Sequence, residues 1–418
     1  MRIAVIGGGI AGLTAALRLG ANHEVTLFEA GTRLGGHADT ELVQDRDCGT
    51  LAVDMGFIVF NRPNYPGFCA LLEELGVDSR PSDMSFSVRN DRSHIEYGTG
   101  NLRELFSDPV SLVRPRFWKM LLGLRRFYRE ADTLLDAEPG LTVHQWLQTR
   151  GYGQSFVEDH ILPMVGALWS ADRATAGRFP ARHLARFMRN HQMLQVTGRP
   201  EWRTVTGGSQ RYVEALQRAL CATVRTQTAV RSVRRGVGQV ELRLDGGSER
   251  FDEVVLACHS DQALAMLEDP TRAEREVLGA IGYRNNEVIL HDDTAVMPRH
   301  LGAWSSWNAL VPAQGDGLCT VSYWMNRLQA LPTRTPWIVS LNQRDQIDPA
   351  RVRAVRQHMH PVFTGDALRA QQRWQEISGV RRTHFCGAYW GWGFHEDGVQ
   401  SALRVVDSVA TEATRAAA

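Results

Sequence analysis

Apolar residues open the chain in one short run, Ile3-Ala4-Val5-Ile6, which gives way to Gly7-Gly8-Gly9. An alanine- and leucine-rich stretch follows. This order predicts a buried strand, a tight turn and a helix. His23 to Glu29 reads as a second strand that ends on an acid. Later the pattern returns to strands. Thr223 to Val233 is β-rich, Val240-Glu241-Leu242-Arg243-Leu244 alternates with period two, and Glu253 to Ala257 is continuous and apolar. Asp245-Gly246-Gly247 is the turn between two of these strands. Thr383 to Gly387 forms a last strand-like return before a helical pattern over Val399 to Val409. Residues 76–205 between these pieces read as mostly helical, and 278–375 as mixed with strands. The predicted fold is α/β. A Rossmann-like domain is assembled from 1–75, 206–277 and 376–418, and an α+β substrate domain, 76–205 and 278–375, is inserted twice.

The spacing Gly7-x-Gly9-x-x-Gly12 adds chemistry to the first turn. The first glycine makes the turn, the second lets backbone approach a pyrophosphate, and the third lets helix pack on strand. The helix N-terminus offers free N–H groups and a positive dipole end to an anion. Glu29 ends the second strand, where a carboxylate accepts hydrogen bonds from a ribose.

The segment Glu29-Ala30-Gly31-Thr32-Arg33-Leu34-Gly35-Gly36-His37, the turn Asp54-Met55-Gly56, and the C-terminal Cys386-Gly387-Ala388 and Gly398-Val399-Gln400-Ser401-Ala402 together resemble the flavin amine oxidase superfamily. A narrower likeness runs through Asp54 to Pro66, Asp83 to Val88 and Gly393 to Gly398. These resemble the flavoprotein-like N-terminal half of plant cyclopropane-fatty-acid synthases and its stand-alone bacterial relatives. The superfamily resemblance implies an FAD domain of the GR2 flavoprotein type. It would place Gly7, Gly9, Ile10, Ala11 and Gly12 against the pyrophosphate, and Glu29, with Ala30 beside it, on the ribose. Arg33, Gly35, Gly36 and His37 would face the phosphates or the ribityl chain. Val230 would meet adenine through its backbone, and Asp54, Gly56 and Phe57 would lie near the isoalloxazine. Gly387 belongs to the C-terminal flavin motif, and Gly398-Val399 would start a helix aimed at the flavin N1 and C2 carbonyl. Many relatives have arginine where this chain has His37. An imidazole holds a phosphate there only if it is protonated or donates a neutral hydrogen bond.

The run Tyr389-Trp390-Gly391-Trp392-Gly393-Phe394-His395 suits an apolar binding wall, with Tyr389, Trp390, Trp392 and Phe394 as substrate contacts. His395 is the expected catalytic base, with Glu396 as the other candidate. Cys258-His259-Ser260-Asp261 reads as a strand-to-helix cap through Ser260 or Asp261 rather than a nucleophile. His358-x-His360 and His291-Asp292-Asp293 lack the further spacing a metal site needs, so no metal is expected.

Composition bounds the rest. The chain has 418 residues, 43% of them hydrophobic, and a net charge of +1, so nothing draws it as a whole to nucleic acid. Cys48, Cys69, Cys221, Cys258, Cys319 and Cys386 are scattered and expected to be reduced core residues. Lys119 is the one lysine among 47 basic residues and lies far from every flavin motif. The lysine that holds a water beside the flavin in many superfamily amine oxidases is therefore absent. From Arg103 to Arg129 seven basic side chains face two acidic ones, interleaved with Phe117, Trp118, Leu121 and Leu122. Arg178 to Arg199 carries five arginines and no acid. Both stretches, 103–129 and 178–199, suit an anionic membrane surface. No signal segment and no apolar run of spanning length is visible, which gives a cytoplasmic protein, peripheral to the inner face of the membrane. The reading is an FAD oxidoreductase that removes hydride from an apolar, fatty acyl substrate. Its rivals are a flavin-dependent double-bond isomerase, an amine oxidase, and a non-catalytic flavoprotein partner of a lipid methyltransferase.

Overall fold

The structure is a computed structural model that describes residues 1–417 except Ala137, Pro139, Ser170, 195–197 and 315–319, with side chains as far as Thr411. The opening pattern folds as read. β1 (Arg2–Ile6) leads through the glycine turn into α1 (Ile10–Leu19), and β2 (Glu24–Phe28) pairs parallel to β1 with Arg2 opposite Glu24 and Ile6 opposite Phe28. The parallel sheet runs Ala222–Arg225, β2, β1, Glu253–Leu256, Thr383–Phe385. It thus draws strands from three separated parts of the chain.

Both faces of this sheet are covered, which is why its strands are apolar without alternation. Ile3 and Val5 pack with Leu13 and Ala16 of α1 and with Val399, Ala402 and Val405 of the C-terminal helix. Ala4 and Ile6 face the other way, onto Val254, Leu256, Phe385 and Tyr389. The C-terminal helix spans His395–Ala417, so it begins before the expected Gly398-Val399 start. Glu396 and Asp397 in its first turn favour the positive dipole end. Gly398 permits its packing on α1, because a Cβ there would come within 2.8 Å of Ile10 Cγ2.

The β-rich stretch 223–233 divides between two sheets. Ala222–Arg225 joins β2, whereas Val230–Arg235 pairs antiparallel with Val240–Leu244. The break lies at Gln227, whose φ is +51°. There Gln227 N–H donates to the Gly31 carbonyl and Thr228 N–H to that of Glu29. The expected hairpin turn is present, with Leu244 opposite Gly247.

The second unit is built on a seven-stranded sheet in the order 352–362, 282–291, 338–341, 320–324, 307–311, 86–90, 95–98. Residues 76–205 are largely helical, as expected, but they also supply strands. Phe86–Asn90 pairs parallel with Trp307–Val311, and Trp202–Val205 is also a strand. The short stretch Phe86 to Gly98 carries no helical or strand period long enough to reveal a partner 221 residues away, such as Asn308 on Ser87. Helices from Phe127 to Asn190 pack as an aromatic and aliphatic cluster beside this sheet, while Phe117 and Met120 of the helix Pro115–Glu130 pack on Val88, Ile95 and Tyr97 of the sheet itself.

Candidate functional site

The glycine turn lies at the carboxyl edge of the parallel sheet. Gly7 has φ +110°, and a Cβ on Gly12 would sit 1.9 Å from the Gly7 carbonyl oxygen. These two glycines are demanded by the turn itself. Gly9 differs, because a Cβ there would meet nothing within 4 Å. Its backbone borders open space, as a diphosphate requires. Gly9 caps α1 with no side-chain hydrogen bond, and no acid occupies the first turn. The first N–H groups of the helix thus have no side chain over them and suit an anion. Ile10 and Ala11 are buried behind that end. Glu29 reaches from the end of β2 to the same loop, accepting from Gly8 N–H and Gly31 N–H at 2.7 Å each. Ala30 beside it is exposed. Val230 is buried at the start of its strand, two residues past the Thr228 contact with Glu29.

The second glycine segment locks against the first. Gly35 N–H donates to the Gly8 carbonyl at 2.8 Å, and a Cβ on Gly36 would lie 3.2 Å from Gly9 Cα. His37 follows, with its Nε2 buried and without a hydrogen-bond partner. Its ring lies 4.8 Å from that of His358, 5.4 Å from His360 and 6.2 Å from His259. Burial lowers the pKa of all four, and for His37 the neighbouring imidazoles lower it further. Arg33 pairs with Asp39 at 2.6 Å through one amino group, and its side chain is otherwise half exposed. Asp39 also holds Arg356 at 3.0 Å. An unpartnered imidazole nitrogen beside an open, uncapped helix end fits a dinucleotide diphosphate.

Several expected roles change. Asp54 is fully buried. Its carboxylate accepts from Thr40 Oγ1 at 2.6 Å, from Ser209 N–H and Oγ at 2.8 Å, and from Gln329 Nε2 at 2.9 Å, all buried. Burial nevertheless raises its pKa to about 6. Gly56 is dictated by His37, whose carbonyl oxygen would be 2.1 Å from a Cβ. Phe57 stacks on His395 with centroids 3.6 Å apart. His395 is not a poised base. Its Nε2 lies 2.8 Å from Tyr212 Oη, Phe68 flanks it edge-on, and burial lowers its pKa to about 3. Glu396 is likewise occupied, accepting from Gly67 and Phe68 N–H at the start of helix Pro66–Glu74.

The aromatic run splits in two. Tyr389 and Trp390 pack into the core under the parallel sheet, which removes them from a substrate wall. Trp392 and Phe394 pack on the helical cluster, where Phe394 stacks 5.5 Å from Phe187 and Trp392 lies 6.0 Å from His183. The split follows from Gly391 and Gly393: Gly391 lies against Asp397, whose carboxylate accepts Trp392 and Phe394 N–H, and Gly393 takes φ +90°. Gly387 N–H donates to Ser401 Oγ at 2.8 Å, tying the last strand to the buried helix turn behind Val399.

Tyr212, Ser209 and Gln329 were missed, since a lone hydroxyl or amide on a helix or loop carries no spacing signal. His358 and His360 did carry one, the alternation of a strand, and they meet His37 without forming a metal site. Among the described residues no group of three or more His, Cys, Asp or Glu is placed to hold a metal. Burial pushes the Cys258 thiol up to about 12, which removes it as a nucleophile. Ser260 begins the helix Ser260–Met266, capped by His259. The described cysteines are free, but Cys48 and Cys221 are exposed rather than core, and Cys319 lies outside the described residues. Lys119 is exposed on the helix Pro115–Glu130.

Known proteins share this arrangement. A model of the family described as flavin containing amine oxidoreductase matches residues 10–410. A coproporphyrinogen III oxidase from Mycobacterium leprae is 33% identical over 186 residues, covering 41% of this chain and 38% of that relative's length. Cyclohexylamine oxidase from Brevibacterium oxydans superposes with a TM-score of 0.70 at 15% identity, covering 99% of each chain. A fatty acid isomerase from P. acnes that produces CLA does so with a TM-score of 0.68 at 16% identity, covering 97% of this chain and 98% of that one. At such identities the likeness is one of fold. With the glycine cradle, the uncapped α1 and a family match that spans nearly the whole length, this chain belongs to the flavin-containing amine oxidoreductases and its cofactor is FAD.

Proposed function

We propose that this chain is an FAD-dependent oxidoreductase that takes hydride from a C–H bond of an apolar, fatty acyl substrate. The observation that carries the reading is the aromatic cluster in which the half-buried Trp392 and Phe394 join Trp169 and the buried Phe187 and Phe179, set where the helical unit meets the C-terminal helix. Its polar members, His183 and His191, have pKa values lowered by burial to about 4, so the cluster presents no charge at neutral pH. Such a surface offers a protonated amine ring faces but no carboxylate to neutralise its charge, whereas an alkyl chain needs only the desolvation it provides. The narrower likeness through Asp54 to Pro66 and Gly393 to Gly398 supports an acyl substrate by analogy.

Bound FAD supplies the hydride acceptor. The start of α1 would hold its diphosphate and Glu29 its ribose, and the aromatic cluster would exclude water and orient the acyl chain. With His395 neutral and hydrogen-bonded to Tyr212, the reading needs no strong base.

The test is anaerobic. Purified protein is mixed with extracted membrane lipids or free fatty acids, and the visible flavin band is followed together with lipid composition. Bleaching with loss of two hydrogens from the lipid supports the proposal. Altered lipid with an unbleached band identifies the isomerase. Hydrogen peroxide release from added amines once air is admitted identifies an amine oxidase. An unbleached band with unchanged lipid, and stimulation of a lipid methyltransferase, identifies the non-catalytic partner.

A further inference from the structure

The helical unit carries a surface that the flavin site does not use. Among the described residues, the large apolar side chains left exposed include Leu102, Val110, Leu112, Val113, Trp118 and Leu122, all within one stretch of chain. Three consecutive helices, Leu102–Leu105, Pro109–Leu112 and Pro115–Glu130, bring them together. Trp118 Nε1 donates to the Leu112 carbonyl at 2.8 Å, and its ring lies 6.2 Å from Phe106. On the longest helix Trp118, Leu122, Arg125 and Arg129 follow at i, i+4, i+7 and i+11, so they share one stripe. Val113 is 80% exposed at the corner between the second and third helices.

Over 101–129 the exposed charge has one sign, and exposed acids begin only at Asp132. The two acids of that stretch are buried and committed. Glu104 binds Gly100, Asn101 and Arg327, and Asp108 caps Val110 and Ser111. The exposed ions are Arg103, Lys119, Arg125 and Arg129. Apolar tips ringed by cations complement a bilayer interface whose headgroups are anionic. No described helix is long and apolar enough to cross a membrane, so the contact is a lateral one.

We propose that this face docks on an anionic phospholipid surface, with Val113, Trp118 and Leu122 inserted among the headgroups and Lys119, Arg125 and Arg129 above them. The proposal is independent of the substrate, since it concerns a face that the Trp392–Phe394 cluster does not form.

Co-sedimentation of the full-length protein with vesicles tests it. Vesicles of equal parts phosphatidylglycerol and phosphatidylcholine should bind the protein, and vesicles of phosphatidylcholine alone should bind it far less. Lys119→Glu or Arg125→Glu should weaken binding at least about fivefold each, the effect of one cation near such a surface. Val113→Asp with Leu122→Asp should weaken it more than tenfold, whereas Leu42→Asp and Val237→Asp, at exposed apolar positions elsewhere, should not. Circular dichroism confirms that each variant is folded. Absence of binding to the anionic vesicles overturns the proposal, as does equal binding of the Val113 and Leu122 variant. A dimer that this variant dissociates also overturns it, by making the occupant a second copy.

Discussion

Asp54 and Gln329 bind each other twice across the boundary between the two units. Asp54 N–H donates to Gln329 Oε1, and Gln329 Nε2 donates to Asp54 Oδ2, each at 2.9 Å. The carboxylate also gathers Thr40 and Ser209, so one buried acid joins the end of strand Gly49–Asp54, the helix start at Gln210 and the second unit. Burial raises its folded pKa to about 6, above the ordinary carboxylate value. The folded protein therefore binds this proton more tightly than the unfolded chain. Its contribution to stability is complete below about pH 4 and is lost as pH rises to about 6, amounting to about 2–3 kcal/mol. Denaturant unfolding of the parent protein and Asp54→Asn at several pH values should show the parent losing ground to the variant across that window, with no further change above it.

Gly9 and Gly12 should separate cofactor binding from folding. Gly9→Ala places its methyl group in open space at a φ of −76°, so the melting temperature without FAD should be unchanged. The same methyl occupies the phosphate path, and FAD affinity should fall by about a hundredfold, or about 3 kcal/mol. Gly12→Ala drives its Cβ onto the Gly7 carbonyl and should lower the melting temperature or prevent folding. Flavin fluorescence titration and thermal unfolding read the two effects.

His37 should make FAD binding pH-dependent. Its imidazole is neutral in the free protein, with His259, His358 and His360 facing it and Asp39 and Arg356 beyond His358. A bound diphosphate favours the protonated form and opposes the lowering by burial, so binding takes up protons and tightens as the solution is made more acidic. Calorimetry in two buffers of different ionisation enthalpy should detect the uptake, and His37→Gln should abolish most of it.

His395 should prove to be a positioning residue. His395→Leu removes the Tyr212 hydrogen bond and the stack on Phe57, and should cost about 1–3 kcal/mol. The pH profile of anaerobic flavin reduction should keep its shape in the variant, because an imidazole this far below its ordinary pKa does not titrate between pH 5 and 8. A lost inflection would restore His395 as a base.

The buried pair Arg235–Glu274 offers a check on packing alone. Both side chains are essentially inaccessible, and Arg235 also binds Asp269 at 2.9 Å. Arg235→Met leaves Glu274 buried without its partner and should destabilise by about 3–5 kcal/mol, most of it recovered when Glu274→Met is added. Chemical denaturation of the four proteins of the cycle measures this.

Residue order alone was enough for the first strand, the glycine turn, α1, β2 and Glu29. Each of these is a local event, an apolar run, a turn only glycine can make, and an acid at a strand end, and all lie within 29 residues. The hairpin at Asp245-Gly246-Gly247 was legible for the same reason. What remained hidden depended on partners distant in the chain. The Asp54-Met55-Gly56 turn points Asp54 toward a flavin, but its lone pairs are taken by Gln329, Thr40 and Ser209. Tyr389 and Trp392 looked alike in sequence, yet Gly391 and Gly393 turn the backbone and send one into the sheet core and the other to the helices. His37, His259, His358 and His360 come from three parts of the chain, and only the packing of one sheet against the other brings their rings together. A hydrogen bond or a desolvated side chain is a property of two surfaces, and a linear order of residues records just one of them.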